Sequence, residues 1–418
     1  DPRAADLVSQ MTVREKIAQM QHPTYLPRSD GKIAPYLEKY CSDYGIGMLL
    51  IRELNSVQTA AETMNAVQEY AEASRLGVPV LVSMDSVHGL SYVSGATVTG
   101  HNLALAAARD EELVTQLAEI SRDEHIAIGV RMTLSPESDI ASEPRWGRVM
   151  ETFGEDPDLV TQMVRTQIVA FQNGEDGLNP DGIVACIKHF PGAGPQMDGK
   201  DTSPIVSDEE TLQIHLQPYY AAIEVNVGSV MPYYSVPLAL DMENSAIGSK
   251  AALQDLLREQ MGFEGIIQTD WGLNFVGAAN AGADVLGGAG VRSTVQLVDG
   301  VDEALLTDAC RRILIAKFQM GLFENPYVDE DAAEEIIGSD EHKAVAKEAA
   351  AKSFTLVKYE NAASLADQSF IVAGELASDV RCLNSGWTAK EPVEIAGTSI
   401  LTALQEKAGA DNVTYITS

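Results

Sequence analysis

Short, almost continuous apolar runs alternate along the chain with longer stretches in which apolar residues recur every three or four positions. The runs GIGMLLI (45–51), VPVLVSMD (78–85), VRMTLSPESD (130–139), IVACIKHF (183–190), GSVMPYYS (228–235), EGIIQTD (264–270) and GADVL (282–286) read as strands. Unbroken apolarity suits strands covered on both faces, as in a parallel sheet. The intervening stretches carry helix punctuation. Asp156-Pro157 supplies an N-cap and a first-turn proline before LVTQMVRTQIVAFQ, which Gly174 closes. Ser207-Asp208-Glu209-Glu210 predicts a capping box. Leu253, Leu256 and Leu257 form the apolar stripe of a helix that ends at Gly262. Repeated βα units over about 320 residues predict an α/β fold of the TIM type, a (β/α)8 barrel with room for one irregular strand. A doubly wound open sheet is the alternative.

After a helix over 302–320 that ends at Gly321, FENPYVDED breaks the pattern, and an Ala/Lys-rich helical stretch follows at 341–352. SFTLVKY and QSFIVAGE (368–375) then restart the alternation. The expected organisation is a barrel domain over 1–325, a linker over 326–355, and at 356–418 the N-terminal part of a second α/β sandwich domain, incomplete, with about three strands and one helix.

Charge narrows the partners. With 61 acidic against 29 basic residues, a net charge of −32 and a pI near 4.4, the surface repels nucleic acid and acidic membranes and suits a neutral small ligand. A homo-oligomer is compatible with this. No window reaches the run of about twenty apolar residues that a membrane span needs. The opening DPRAADLVSQMT has no basic or apolar targeting region, and the compartment stays open between secreted, periplasmic and cytoplasmic. Cys41, Cys186, Cys310 and Cys382 are far apart, which argues against a zinc site or disulfide scaffold; no metal or cofactor is expected.

Candidate chemistry collects at the predicted strand ends. They carry Asp85 before SVHG, a polar loop leading to EPRWGR (143–148), Lys188-His189, Met231 with Tyr233-Tyr234, and Asp270-Trp271. In a parallel barrel the carboxyl ends of the strands hold the active site. Carboxylate, Lys, His and Arg can hydrogen-bond to sugar hydroxyls while an indole packs on an apolar sugar face. Singly each is weak: Asp270 alone reads equally well as a helix cap, Lys188 or His189 as a core partner, and His88-Gly89 as a turn. Together, at successive strand ends, they favour one site.

These motifs resemble glycoside hydrolase family 3, in particular its two-domain β-glucosidases and exo-β-glucanases. The similarity runs through LVSQMTVREKIAQMQ (7–21), DSVHG (85–89), EPRWGRVMETFGEDP (143–157), KHFPGAG (188–194), VMPYY (230–234), GFEGIIQTDWG (262–272), RRILIAKFQMGLFENPY (311–327), SGWT (385–388) and GTSILTAL (397–404). The resemblance implies a retaining mechanism with Asp270 as nucleophile and a second carboxyl as acid and then base. It implies that Asp85, Arg148, Lys188, His189, Met231 and Tyr234 bind the sugar, and that Trp271 and Trp387 are aromatic walls, Trp387 clamping the next sugar from the second domain. Arg145 reads as structural.

Asp85 stands where xylosidases of the family carry Glu, which favours glucose; β-xylosidase activity is the lesser alternative. Ala193 replaces the His of the hexosaminidase motif, and PQMDGKDTSP lacks that group's catalytic Asp–His pair. Two departures stand out. Thr99-Gly100 replaces the usual Phe-Pro pair. None of Glu391, Glu394 or Glu406 lies in a matching motif, so no acid/base is expected within this chain. The expected function is therefore an exo-acting release of terminal β-D-glucose. A non-hydrolytic sugar-binding protein, or an inactive fragment lacking the acid/base, is the alternative from another class, and an aldolase or epimerase with Lys188 as Schiff base is a third.

Overall fold

The computed structural model describes all residues except 28–32, 241–244, 273, 361–367, 391–392, 396 and 418, so Glu391 lies outside the described residues. Its main sheet is parallel throughout. The strands are β1 (Gln21–His22), β2 (Thr24–Tyr25), β3 (Met48–Ile51), β4 (Leu81–Met84), β5 (Met132–Thr133), β6 (Val184–Phe190), β7 (Ser229–Pro232), β8 (Ile266–Ile267) and β9 (Leu286–Gly287). Seven of them pair in the order β2-β3-β4-β5-β6-β7-β8. This order follows the sequence without the reversal that a doubly wound sheet requires, so that alternative is excluded.

Both edges of this sheet have neighbours. A parallel bridge joins Gln268, just past β8, to Val285, and β9 pairs with β1 through Gln21↔Leu286 and His22↔Gly287. Only Pro23 separates β1 from β2. Its lack of an N–H breaks the ladder, while its carbonyl still accepts from Leu50 N at 3.0 Å. Residues 21–25 thus face β9 on one side and β3 on the other. The hydrophobic pattern does not reveal this strand, because QHPTY contains no apolar run at all.

The helices between strands begin largely as their polar residues dictate. Asp156 accepts from Asp158 N and Leu159 N at the start of Pro157–Gln172. That helix ends on Asn173 in the left-handed region, one residue before Gly174. The helix Glu209–Glu224 is capped by Asp208, which accepts from Thr211 N at 2.8 Å; Ser207 forms no capping box with it. Ala251–Gln260, which buries Leu253, Leu256 and Leu257, winds as a π-helix and closes with Met261 N on Leu256 O at 2.9 Å.

Residues 326–355 hold the helices Glu330–Ile336 and Asp340–Ser353. One buried carboxylate ties them to the preceding part of the chain: Glu124 accepts from Thr97 N and Oγ1, from Gly338 N at 2.8 Å and from His342 Nδ1 at 2.9 Å. Beyond this, β10 (Phe370–Ala373) pairs in parallel with β11 (Val413–Ile416), with the helix Ile400–Ala408 between them. Leu401, Ala408 and Val413 form their shared cluster. The strand expected at SFTLVKY does not form. Residues 354–359 pair with no strand among the described residues, and Phe354 and Val357 stand 85% and 92% exposed. Two strands, one α-helix and three short 3-10 helices are therefore described in this segment.

Candidate active site

Chain direction in a parallel sheet delivers every strand's carboxyl end to one rim, and here the rim collects the charged residues. Arg52 follows β3, Asp85 follows β4, and Glu137 and Asp139 lie beyond β5. Lys188 and His189 close β6, Met231 lies in β7 with Tyr233 and Tyr234 after it, and Asp270 and Trp271 follow β8. Strand register sets Lys188 level with Met231; both are buried.

Two clusters organise the rim. In the first, Arg52 grips Asp85: Nε donates to Oδ2 at 2.8 Å and Nη2 donates to the same oxygen. In the second, Arg148 is shared. Nε and Nη2 reach Glu151 at 3.0 and 2.8 Å, Nη2 also reaches Glu137 at 2.9 Å, and Nη1 lies 3.3 Å from His189 Nε2. Burial works against the Glu151 anion, but the bonds and charge of Arg148 outweigh it and bring that carboxyl down to about 2. Glu137 moves the other way. It is fully buried, Arg148 bonds only one of its oxygens, and Oε1 has no partner, so burial raises its pKa well above the usual range.

His189 stands between the second cluster and Asp270. Its Nδ1 lies 2.9 Å from Asp139 Oδ2, and Asp139 also accepts from His189 N and Ala193 N. Burial, then Arg148 and Lys188, depress the imidazole well below its ordinary pKa. The neutral ring thus donates from Nδ1 to Asp139 and turns the Nε2 lone pair toward Arg148. The ligand atoms of Glu137, Asp139 and His189 lie within 4.8 Å of one another. Arg148 and these internal hydrogen bonds already supply the countercharge a cation would bring.

Asp270 differs from every other carboxylate here. Trp271 N donates to Oδ1 at 2.8 Å, and Oδ2 lies 3.9 Å from His189 Nε2. Burial raises its pKa, opposed in turn by the Trp271 N–H, Lys188, the Tyr234 hydroxyl and Arg148. Among the described residues no Lys or Arg nitrogen comes within 4 Å of it. Tyr234 also donates to Trp271 O at 3.1 Å. The indole is fixed by its Nε1–H on Thr24 Oγ1 at 2.9 Å, and it lies so close to Gly288 that a Cβ there would stand 3.0 Å from Cδ1.

The far segment reaches this rim. Trp387 lies over three cations, with Lys188 Nζ at 5.2 Å, Arg52 Cζ at 5.5 Å and Arg148 Cζ at 5.6 Å from its ring centroid. The loop after β4 holds it there: Ser91 Oγ donates to Trp387 O at 2.6 Å, Ala389 N to Ser91 O at 3.0 Å, and His88 Nε2 bonds Gly386 O. Thr99 N and O both bond His88, so the departure at Thr99-Gly100 still closes this loop. Arg145 pairs with Glu143 and is exposed, away from these clusters. Asp201, in the loop after KHFPGAG, is tied up by Trp146 Nε1 at 2.8 Å and by Tyr233.

All nine residues expected at the site thus lie on this rim or across it. Sequence reasoning missed Arg52, Glu137, Asp139 and Glu151. The first three were visible as polar residues directly after apolar strands, whereas Glu151 gave no such signal.

The site thus joins a curled parallel sheet, buried and mutually compensating charges at its carboxyl rim, and indoles beside a carboxylate, the layout of an α/β protein with its site at the strand ends. The family comparison is specific. Residues 12–334 match the glycosyl hydrolase family 3 N terminal domain, and the chain belongs to that family. It is 34% identical to a periplasmic beta-glucosidase/beta-xylosidase of Dickeya chrysanthemi over 86% of this chain and 64% of the relative. A lysosomal beta glucosidase of Dictyostelium discoideum is 29% identical over 96% of the chain and 55% of that protein. Among solved structures, an exo-1,3/1,4-beta-glucanase from a Pseudoalteromonas species superposes with a TM-score of 0.86 at 28% identity, covering 100% of this chain and 73% of that one. A Listeria innocua beta-glucosidase in complex with glucose gives 0.81 at 27% identity, covering 100% and 60%. The chain therefore spans less than two thirds of the length of these curated relatives.

Proposed function

We propose that this chain carries the nucleophile and the sugar pocket of a retaining, exo-acting β-glucosidase, with Asp270 as the nucleophile. The observation that carries the reading is the accessibility of Asp270: its side chain is 17% exposed while those of Asp85, Glu137, Asp139 and Glu151 are 5% or less, and among the described residues no Lys or Arg nitrogen comes within 4 Å of it. Two hydrogen-bond donors and two nearby cations still favour its anion. In the first step an Asp270 oxygen bonds to the anomeric carbon as the glycosidic C–O bond breaks, and the leaving oxygen takes a proton from the acid. Water, deprotonated by the same group, then attacks the anomeric carbon and frees Asp270. Asp85, Arg148, Lys188, His189, Met231 and Tyr234 hold the sugar, with Trp271 and Trp387 as its apolar walls. Glu394 and Glu406 are exposed, and neither is assigned as acid/base.

In the same reading the ladders on both sides of residues 21–25 close the sheet into a (β/α)8 barrel over 1–325. Residues 326–355 form a linker and 356–418 the start of an α/β sandwich domain. A neutral carbohydrate is the partner; a glucoside is preferred to a xyloside because Asp85 is short and clamped by Arg52. The second reading, a sugar-binding protein without hydrolysis, draws support from Trp387, which covers the cations meant to meet the sugar. Family membership removes the support for the aldolase reading.

Stopped-flow release of nitrophenol from a nitrophenyl β-glucoside separates the two, because an activated leaving group needs little acid assistance. A burst from the wild type that Asp270→Ala abolishes is expected. Wild type without a burst, or a variant that keeps it, would overturn the nucleophile assignment.

A further inference from the structure

At the amino ends of the strands, opposite the rim, lies a cavity of about 550 Å3 whose walls include Ile126, Pro180, Phe318, Met320 and Val328, with Arg131 among them. Arg131 immediately precedes β5 and Pro180 lies shortly before β6, whereas the rim residues follow their strands. The volume is ordinary for a small-molecule site, as is a mostly apolar lining with one charged group. The outer wall is fixed by the chain that follows the helix Glu303–Gln319. Gly321 turns that chain back at φ +69°, and a Cβ there would stand 3.3 Å from Pro180 Cβ. Asn65 then clamps Val328, its Oδ1 accepting from Val328 N and its Nδ2 donating to Val328 O, each at 3.0 Å.

Arg131 is only partly satisfied in this wall. Its Nη2 donates to three carbonyls, Pro180 O at 2.6 Å, Gly182 O at 3.0 Å and Met320 O at 3.3 Å. Nη1, with two N–H groups, makes no hydrogen bond among the described residues, and Nε, with one, is buried without a partner. Arg131 also forms no ion pair among the described residues, although acidic residues outnumber basic ones 61 to 29 in the chain. Arg52, Arg148 and Arg258, likewise withdrawn from water, each hold a carboxylate. Burial lowers the Arg131 pKa to about 10, with only the charge of Asp181 opposing. One carboxylate, Glu324, lines the cavity, and it is paired with Arg3 at 3.2 Å. A planar guanidinium with open N–H groups matches the two oxygens of a carboxylate. No second Lys or Arg among the described residues lines the cavity to meet the further charge of a phosphate.

We propose that this cavity binds a monocarboxylate with an apolar body, its carboxylate on Arg131 and its body against Phe318, Met320 and Val328. The ligand supplies the countercharge that the chain withholds from this one guanidinium, and the walls exclude water from the pair. The site lies apart from the rim, so the proposal stands independently of Asp270 as nucleophile.

Calorimetric titration of the full chain with phenylbutyrate, phenylbutanol and inorganic phosphate tests it. Phenylbutyrate is expected to bind at one site. Phenylbutanol, which keeps the body and lacks the charge, and phosphate, which lacks the body, should each bind at least about tenfold more weakly. Arg131→Met should raise the Kd of phenylbutyrate about tenfold or more. Because Arg131 also holds three carbonyls, a second variant leaves it in place: Val328→Trp fills the cavity with an indole and should raise the same Kd about tenfold with the guanidinium intact. Thermal melts show which variants are folded. Absence of binding at millimolar phenylbutyrate overturns the site, and so does phenylbutanol or phosphate binding as tightly as the carboxylate. Phenylbutyrate binding that survives unchanged in a folded variant belongs to the rim cations instead and also overturns it.

Discussion

Asp270 sits where burial and bonding oppose each other, and its pH behaviour follows. Burial raises its pKa, so it protonates at higher pH than a free Asp, and turnover falls as pH drops through that raised value. Lys188 is among the groups that hold it down. Lys188→Gln should therefore move the acid limb of the kcat/KM profile upward, which a pH titration of nitrophenol release reads directly; an unmoved limb would separate Lys188 from Asp270. Asp270→Asn should cut kcat by about 10⁴-fold or more, as loss of a covalent nucleophile does elsewhere. Arg52 makes a different kind of contribution. Arg52→Leu leaves Asp85 buried without its partner, and the expected cost is about 3 kcal/mol in denaturant unfolding at neutral pH.

The loop after β4 and the strap at 385–390 behave as one element, since each supplies the other's hydrogen bonds. Ser91→Ala removes the side-chain bond to Trp387 O and should cost about 1 kcal/mol locally. Amide exchange at Thr388 and Ala389 should then speed up about fivefold, with global stability little changed. Legibility in the sequence also varies by element. Strands β3 to β9 announce themselves because a strand covered on both faces must be apolar throughout. The strand at 21–25 does not, because its place is fixed by neighbours on both sides and its composition is polar. SFTLVKY shows the converse: β-branched and aromatic residues have strand propensity, but without a partner strand they form none. At the site, the residues that end apolar runs were legible. Glu151 was not, because its role arises from a three-residue turn that brings it under Arg148, a tertiary fact without a periodic signal.

At the scale of the whole molecule, one buried base opposes stability. Lys317 is fully buried, with Gln19 Oε1 at 2.7 Å as its hydrogen-bond acceptor, and burial lowers its pKa from 10.5 to about 7. Between those values the unfolded chain holds a proton that the folded chain releases, so stability rises with pH, by on the order of 5 kcal/mol in total from this group. Lys317→Met should remove that dependence, less about 1 kcal/mol for the acceptor left on Gln19. Urea unfolding at pH 7 and pH 9.5 should show the variant's advantage shrinking as pH rises. Trp387 has a consequence of another kind, in time. Its ring covers Lys188, Arg52 and Arg148, yet it is translated roughly a hundred residues after the last strand of the main sheet, about 5–20 s at ordinary synthesis rates. For that interval the rim of a nascent chain stands open to water, its two arginines held by Asp85, Glu137 and Glu151 alone, and the aromatic wall of the site is the last part of it to be made.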